Sequence, residues 1–153
     1  MSCCHDFLVR LGIPTQCVER RTSAEERGRH FSLRLEGGLV ALRVRVDGCW
    51  LSGTEQRKVD YLFLAELSEQ TLLCLLVELK GGHYGEALEQ LAATLQHLEA
   101  LPPYRHQRPQ RLAAHIVLSH GNQIPRYQQR ESQLRQRYGV QIRRSSQRGE
   151  YRV

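Results

Sequence analysis

Apolar and polar residues alternate with a period of two over Phe31, Leu33 and Leu35, and again over Val40, Leu42, Val44 and Val46, where Arg43 and Arg45 take the other face. That alternation predicts two strands, with turns at Glu36-Gly37-Gly38 and Asp47-Gly48. Two further strands are predicted over Lys58–Leu64 and Leu72–Lys80, joined by a polar loop from Glu66 to Thr71. The second is apolar on both faces, the mark of a central strand, and Gly81-Gly82 ends it. From about Tyr84 to Leu98 the spacing lengthens to three and four at Leu88, Leu91, Leu95 and Leu98, which predicts a helix closed by Pro102-Pro103. Leu112–Leu118 reads as a buried strand, Pro125 opens an Arg/Gln-rich helix to about Tyr138, and Gly139–Arg144 gives a last, edge strand. Upstream, residues 3–12 predict a short helix stopped by Gly12 and Pro14. A second helical start is predicted at Thr22-Ser23-Ala24-Glu25-Glu26, where two capping boxes overlap.

The predicted core order is helix, three meandering strands, helix, strand, helix, strand, with no internal repeat and no interdomain linker. An α/β (α+β) fold follows, one mixed sheet flanked by helices in a single domain over residues 1–153. A chain of 153 residues can bury a core without staples. The longest apolar run, Leu72–Val77, suits a strand and not a membrane span. The start Met-Ser-Cys-Cys-His-Asp lacks the features of a secretion signal, so a cytoplasmic protein is expected. The five cysteines, at positions 3, 4, 17, 49 and 74, show no disulfide framework and are expected to be reduced. Cys3, Cys4, His5 and Cys17 lack the two-residue gap of a zinc site.

Charge adds a direction. Net charge is +6, but residues 1–99 hold 11 basic against 14 acidic side chains, and residues 100–153 hold 11 Arg against Glu131 and Glu150 alone. A basic surface facing a polyanion fits that asymmetry; so does a solvated face. Arg126, Arg130 and Arg137 lie roughly on one side of the last predicted helix, a candidate phosphate-tracking surface. Of the 22 basic residues only Lys58 and Lys80 are lysine.

Chemistry concentrates at one hairpin. If its loop centres on Glu69, Leu62 faces Leu76, Leu64 faces Cys74 and Asp60 faces Glu78, with opposed Cβ atoms about 4.5–5.5 Å apart. Side chains alternate along a strand, so Lys80 shares the face of Glu78. Two carboxylates at that separation repel unless a cation joins them, and oxygen ligands of this number suit Mg²⁺ or Mn²⁺. Such an ion polarises a phosphodiester and helps generate hydroxide. The same residues also read as cross-strand charge pairs at a strand end, although Glu78 closes an apolar run where an uncompensated carboxylate is costly.

Lys58-Val59-Asp60-Tyr61, then Val77-Glu78-Leu79-Lys80-Gly81-Gly82, then Gln90, resemble the signature of the PD-(D/E)xK nuclease superfamily, with Val59 in place of the motif's proline. The αβββαβ order is similar to the restriction-endonuclease-like core of that superfamily, which includes Holliday-junction resolvases. The resemblance implies that Asp60, Glu78 and the Leu79 carbonyl bind Mg²⁺ or Mn²⁺, and that Lys80 serves the nucleophilic water. It also implies that Gln90 contacts substrate or positions the lysine, and it offers Glu25 or Glu26 as a first-helix acid. The expected activity is hydrolysis of nucleic acid, DNA foremost, in repair, recombination or defence. Alternatives are a silent nuclease-fold binding or immunity protein, and a plain nucleic-acid-binding module. A homodimer or protein partner is expected because one short chain makes few substrate contacts.

Overall fold

The computed structural model describes residues 3–53, 57–81, 83–119 and 125–153. Six strands form a mixed sheet: β1 (Val18–Arg20), β4 (Ala41–Arg45), β5 (Tyr61–Ser68), β6 (Thr71–Gly81), β7 (Arg111–Leu118) and β8 (Gln141–Ser146), adjacent in that order. Pairing is antiparallel from β1 to β6 and parallel from β6 to β8. Parallel neighbours need crossovers, supplied by α2 (Tyr84–Ala100) with α3 (Pro102–His106), and by α4 (Gln128–Tyr138). A second sheet, β2 (Ser23–Glu26), β3 (Arg29–Arg34) and β9 (Arg148–Arg152), has the order β2-β3-β9. The architecture is mixed α and β.

The burial pattern explains why β6 is apolar on both faces. Leu62, Leu64, Cys74 and Leu76 pack beneath Phe7 and Leu8 of α1 (Cys3–Arg10) and beneath the leucine stripe of α2. Phe63, Leu75, Val77 and Leu79 meet Phe31, Leu33 and Tyr151 of the small sheet. The main sheet is covered on both sides, so each hydrophobic face removes its area from water. Among the described residues no helix is long and apolar enough to cross a membrane.

Three expectations need correction. The capping-box segment at 22–26 is a strand, so Glu25 and Glu26 lie on β2 and not on a helix. Arg27 (φ 50°) and Gly28 (φ 79°) form a two-residue turn with both residues left-handed, which aligns Ala24 with Phe31 and Glu26 with Arg29. A strand buries Ala24 and Phe31 on one face, and that tertiary contact outweighs the local caps. Next, the two alternating segments around Glu36-Gly37-Gly38 do not form a hairpin: β3 joins the small sheet, and β4 pairs with β5. The meander is β4-β5-β6. Strands β1 and β9 lie outside the predicted elements.

The third correction concerns thiols. Cys17 and Cys49 form a disulfide, with Cα atoms 5.7 Å apart and a sequence separation of 32. Cys17 ends a 3₁₀ turn (Thr15–Cys17) whose next residue, Val18, pairs with Val44 on β4, close in the chain to Cys49. Reducing the disulfide, or replacing both residues by serine, is expected to lower unfolding free energy by about 3–4 kcal/mol, on the chain-entropy estimate for a loop of this length. Urea titrations with and without reductant measure the change. Cys3, Cys4 and Cys74 are free, and burial pushes the Cys4 and Cys74 thiols up to about 12.

Candidate active site

The β5–β6 register is the one the sequence predicts: Tyr61 opposes Val77, Leu62 opposes Leu76, and Leu64 opposes Cys74. The turn occupies Glu69 and Gln70, and an irregularity between Glu66 and Ser68 absorbs the change of register before Ser68 meets Thr71. At the far end the strands part. The backbone of Asp60 and Val59 stays with the β4 side, where their carbonyls accept from the N–H groups of Val46 (2.9 Å) and Asp47 (3.2 Å). On its other flank, β6 breaks register with β7 between Glu78 and Gly81. A local break of this kind re-aims side chains and releases backbone donors from the ladder.

The released donor is the Leu79 N–H, and two carboxylates converge on it. Asp60 Oδ2 accepts from it at 2.8 Å and Glu78 Oε1 at 3.1 Å. Both acids are buried, Asp60 at 4% exposure and Glu78 at 1%. Each carboxylate thus turns one oxygen toward the same backbone donor. Bringing two such charges together in a buried place favours a cation between them. The donor set of two carboxylates, with a backbone carbonyl nearby and water completing the shell, fits Mg²⁺ or Mn²⁺.

The segment carrying Asp60 is pinned from α2. Thr94 Oγ1 accepts from the Val59 N–H at 3.0 Å and donates to the Gln90 carbonyl at 2.8 Å. Thr94 is fully buried, and nothing in its sequence surroundings marked it. Lys58, two residues before Asp60, is also buried. It lies near His97, whose imidazole is held below its ordinary value by burial first and by Lys58 second.

The other predicted residues are placed as follows. Lys80 is in β6, two residues beyond Glu78, and its side chain lies outside the described residues. Gln90 is half-buried on α2 and lines a cavity of about 480 Å³ with Arg57, Gly85, Glu86 and Glu89. The Leu79 carbonyl accepts from Arg29 Nε, while Arg29 Nη1 donates to Ser119 Oγ at 2.6 Å. A carbonyl keeps a second lone pair for another partner. Arg29 escaped notice because the helix expected at 22–26 gave no reason to bring it near β6. Glu26 meets the Tyr61 hydroxyl at 3.3 Å, and Glu25 pairs with His30 at 3.5 Å.

The arginine face is less uniform than helical spacing implied. Arg126 sits in a separate 3₁₀ turn (Pro125–Tyr127), its guanidinium 5.8 Å from the Tyr127 ring centre. Arg130 is on α4 but bonds Glu89 of α2 at 2.9 Å. Arg137, exposed, lies over Tyr138. Arg130 and Arg137, seven residues apart, share a helix face. Comparison with protein-family models, curated proteins and solved structures found no match.

Proposed function

We propose that this chain is a metal-dependent nuclease with a restriction-endonuclease-like core, hydrolysing phosphodiester bonds of nucleic acid, DNA foremost. The observation that carries the reading is the convergence of Asp60 and Glu78, from two neighbouring strands, on the single N–H of Leu79. These two carboxylates, with the Leu79 carbonyl, would hold Mg²⁺ or Mn²⁺. When bound, the ion supplies Lewis-acid polarisation of the phosphate and acidifies water. The Leu79 N–H orients both carboxylates by hydrogen bonding to one oxygen of each. Thr94 fixes the Asp60 segment against α2, which limits the freedom of one ligand before substrate arrives. Lys80, by its position in β6, is assigned to orienting the nucleophilic water, and Gln90 to substrate or lysine positioning at the cavity it lines. Arg126, Arg130 and Arg137 are assigned to phosphate contacts along the strand.

Cleavage of labelled single-stranded, double-stranded and branched DNA, and of RNA, tests the reading. Products are expected with Mg²⁺ or Mn²⁺ and not with EDTA. Absence of products from every substrate in both metals would overturn it. A silent nuclease-fold binding protein is the second reading, and Arg29 on the Leu79 carbonyl favours it, because the guanidinium sets a positive charge beside the oxygen a metal would use. Metal-independent DNA or protein binding without turnover is the outcome that reading expects.

A further inference from the structure

A cavity of about 820 Å³ lies at the outer edge of β8, where α4, β8 and β9 come together. Its lining includes Arg135, Arg143, Arg144, Ser132, Ser145 and His115. Two acids also reach it, and both are engaged by arginines of their own. Glu131 is paired with Arg144 and with Arg135. Glu150 is paired with Arg34 at 3.5 Å and Arg152 at 2.8 Å. Arg143 is different. Its guanidinium carbon lies over the Tyr151 ring, 4.9 Å from the centre, and its N–H donors make no hydrogen bond or ion pair among the described residues.

Beside Arg143 is a built polar pair. His115 is 4% exposed, and its Nε2 lies 2.8 Å from Ser145 Oγ. Its Nδ1 is buried and has no hydrogen-bond partner among the described residues. An unsatisfied buried ring nitrogen costs free energy unless a partner arrives. If Ser145 donates to Nε2, the ring carries its proton on Nδ1 and offers a donor. The backbone of β9 is packed directly on this pair: a Cβ at Gly149 would stand 2.5 Å from His115 Nε2 and 2.9 Å from Ser145 Oγ. The pair is not a serine nucleophile with its base. Burial, with Arg143 second, holds the imidazole down to about 4, too weak a base at neutral pH for that task.

We propose that this cavity is an anion site that binds a phosphate group through Arg143, Ser145 and His115, separately from the acid pair at Leu79. Arg143 supplies the uncommitted charge, and the Ser145–His115 pair supplies one neutral donor, the His115 Nδ1–H when Ser145 donates to Nε2 or the Ser145 hydroxyl when Nε2–H donates to it. The inference does not depend on the nuclease reading. A phosphate free in solution and a phosphate of a nucleic-acid backbone share this chemistry, and the test separates them.

The His115 ring signals of the full chain are followed by NMR during titration with sodium phosphate, at ionic strength held constant with chloride and without divalent metal. A second titration uses a single-stranded oligonucleotide with hydroxyl ends. A saturable shift with inorganic phosphate, weakened about 10-fold or more in Arg143→Gln and also weakened in Ser145→Ala, supports the site and a free phosphate as occupant. A saturable shift with the oligonucleotide alone, weakened in the same variants, supports the site and assigns a backbone phosphate. Absence of any shift in either titration overturns it, as does a shift that survives Arg143→Gln unchanged. Arg143 is exposed, so its replacement leaves the core packing intact and the comparison interpretable.

Discussion

Alanine at Asp60 or Glu78 is expected to lower metal-dependent cleavage by about 10³-fold or more, because on the proposed reading each would supply a ligand to an ion worth several kcal/mol of transition-state stabilisation. The same variants are expected to lose stabilisation by Mn²⁺. A metal that binds only the folded chain raises its stability by about 2.7 kcal/mol at a hundred times the dissociation constant, and removal of either acid from the Leu79 N–H should erase most of that shift. Lys80→Ala separates the roles: cleavage falls, yet the Mn²⁺-induced rise in melting temperature stays. Circular dichroism of each variant without metal establishes that the fold persists. If Asp60→Ala and Glu78→Ala keep both the cleavage and the thermal shift of the parent, the two acids hold no metal and the nuclease assignment fails. If they lose the thermal shift in a parent that never cleaves, the site is a metal centre of a silent protein.

How far the sequence carried this site depends on what set each contact. The β5–β6 pairing was legible because a polar loop between two apolar runs centres the turn near Glu69, which sets Leu62 opposite Leu76 and Leu64 opposite Cys74. That register brings Asp60 and Glu78 together with no further information. The β2–β3 hairpin was not legible. Its turn, Arg27-Gly28, lacks the usual Asn or Asp, and overlapping capping boxes gave a stronger local signal for a helix. With that hairpin hidden, the approach of Arg29 to the Leu79 carbonyl was hidden as well. The Cys17–Cys49 pairing is equally non-local: it follows from Val18 aligning with Val44, and no spacing along the chain encodes it. Thr94 belongs with these, a helix residue whose hydroxyl matters only once α2 lies over the Asp60 segment. Local periodicity thus specified the acids, whereas the groups that surround them came from tertiary packing.

Removal of the Glu131 carboxylate is expected to cost about 3–5 kcal/mol, the usual penalty for leaving a buried charge without its partner. Glu131 is 4% exposed on α4. It accepts from the Tyr84 hydroxyl at 2.5 Å and from Arg144, and it pairs with Arg135 at 3.6 Å. One side chain therefore ties α2, α4 and β8 together. Glu131→Ala strands a buried tyrosine hydroxyl and the guanidinium of Arg144, which also lies over the Tyr84 ring at 5.6 Å. Glu131→Gln keeps an oxygen for Tyr84 and loses the charge, so its destabilisation should fall between that of alanine and the parent. Urea unfolding of the three proteins gives the order. A double variant in which Glu131 and Arg144 are both replaced by apolar residues should recover much of the loss, since neither charge is then left alone. Equal midpoints for the parent and Glu131→Ala would mean that packing of Leu134 and Ile142 already holds α4 on the sheet without the ion network.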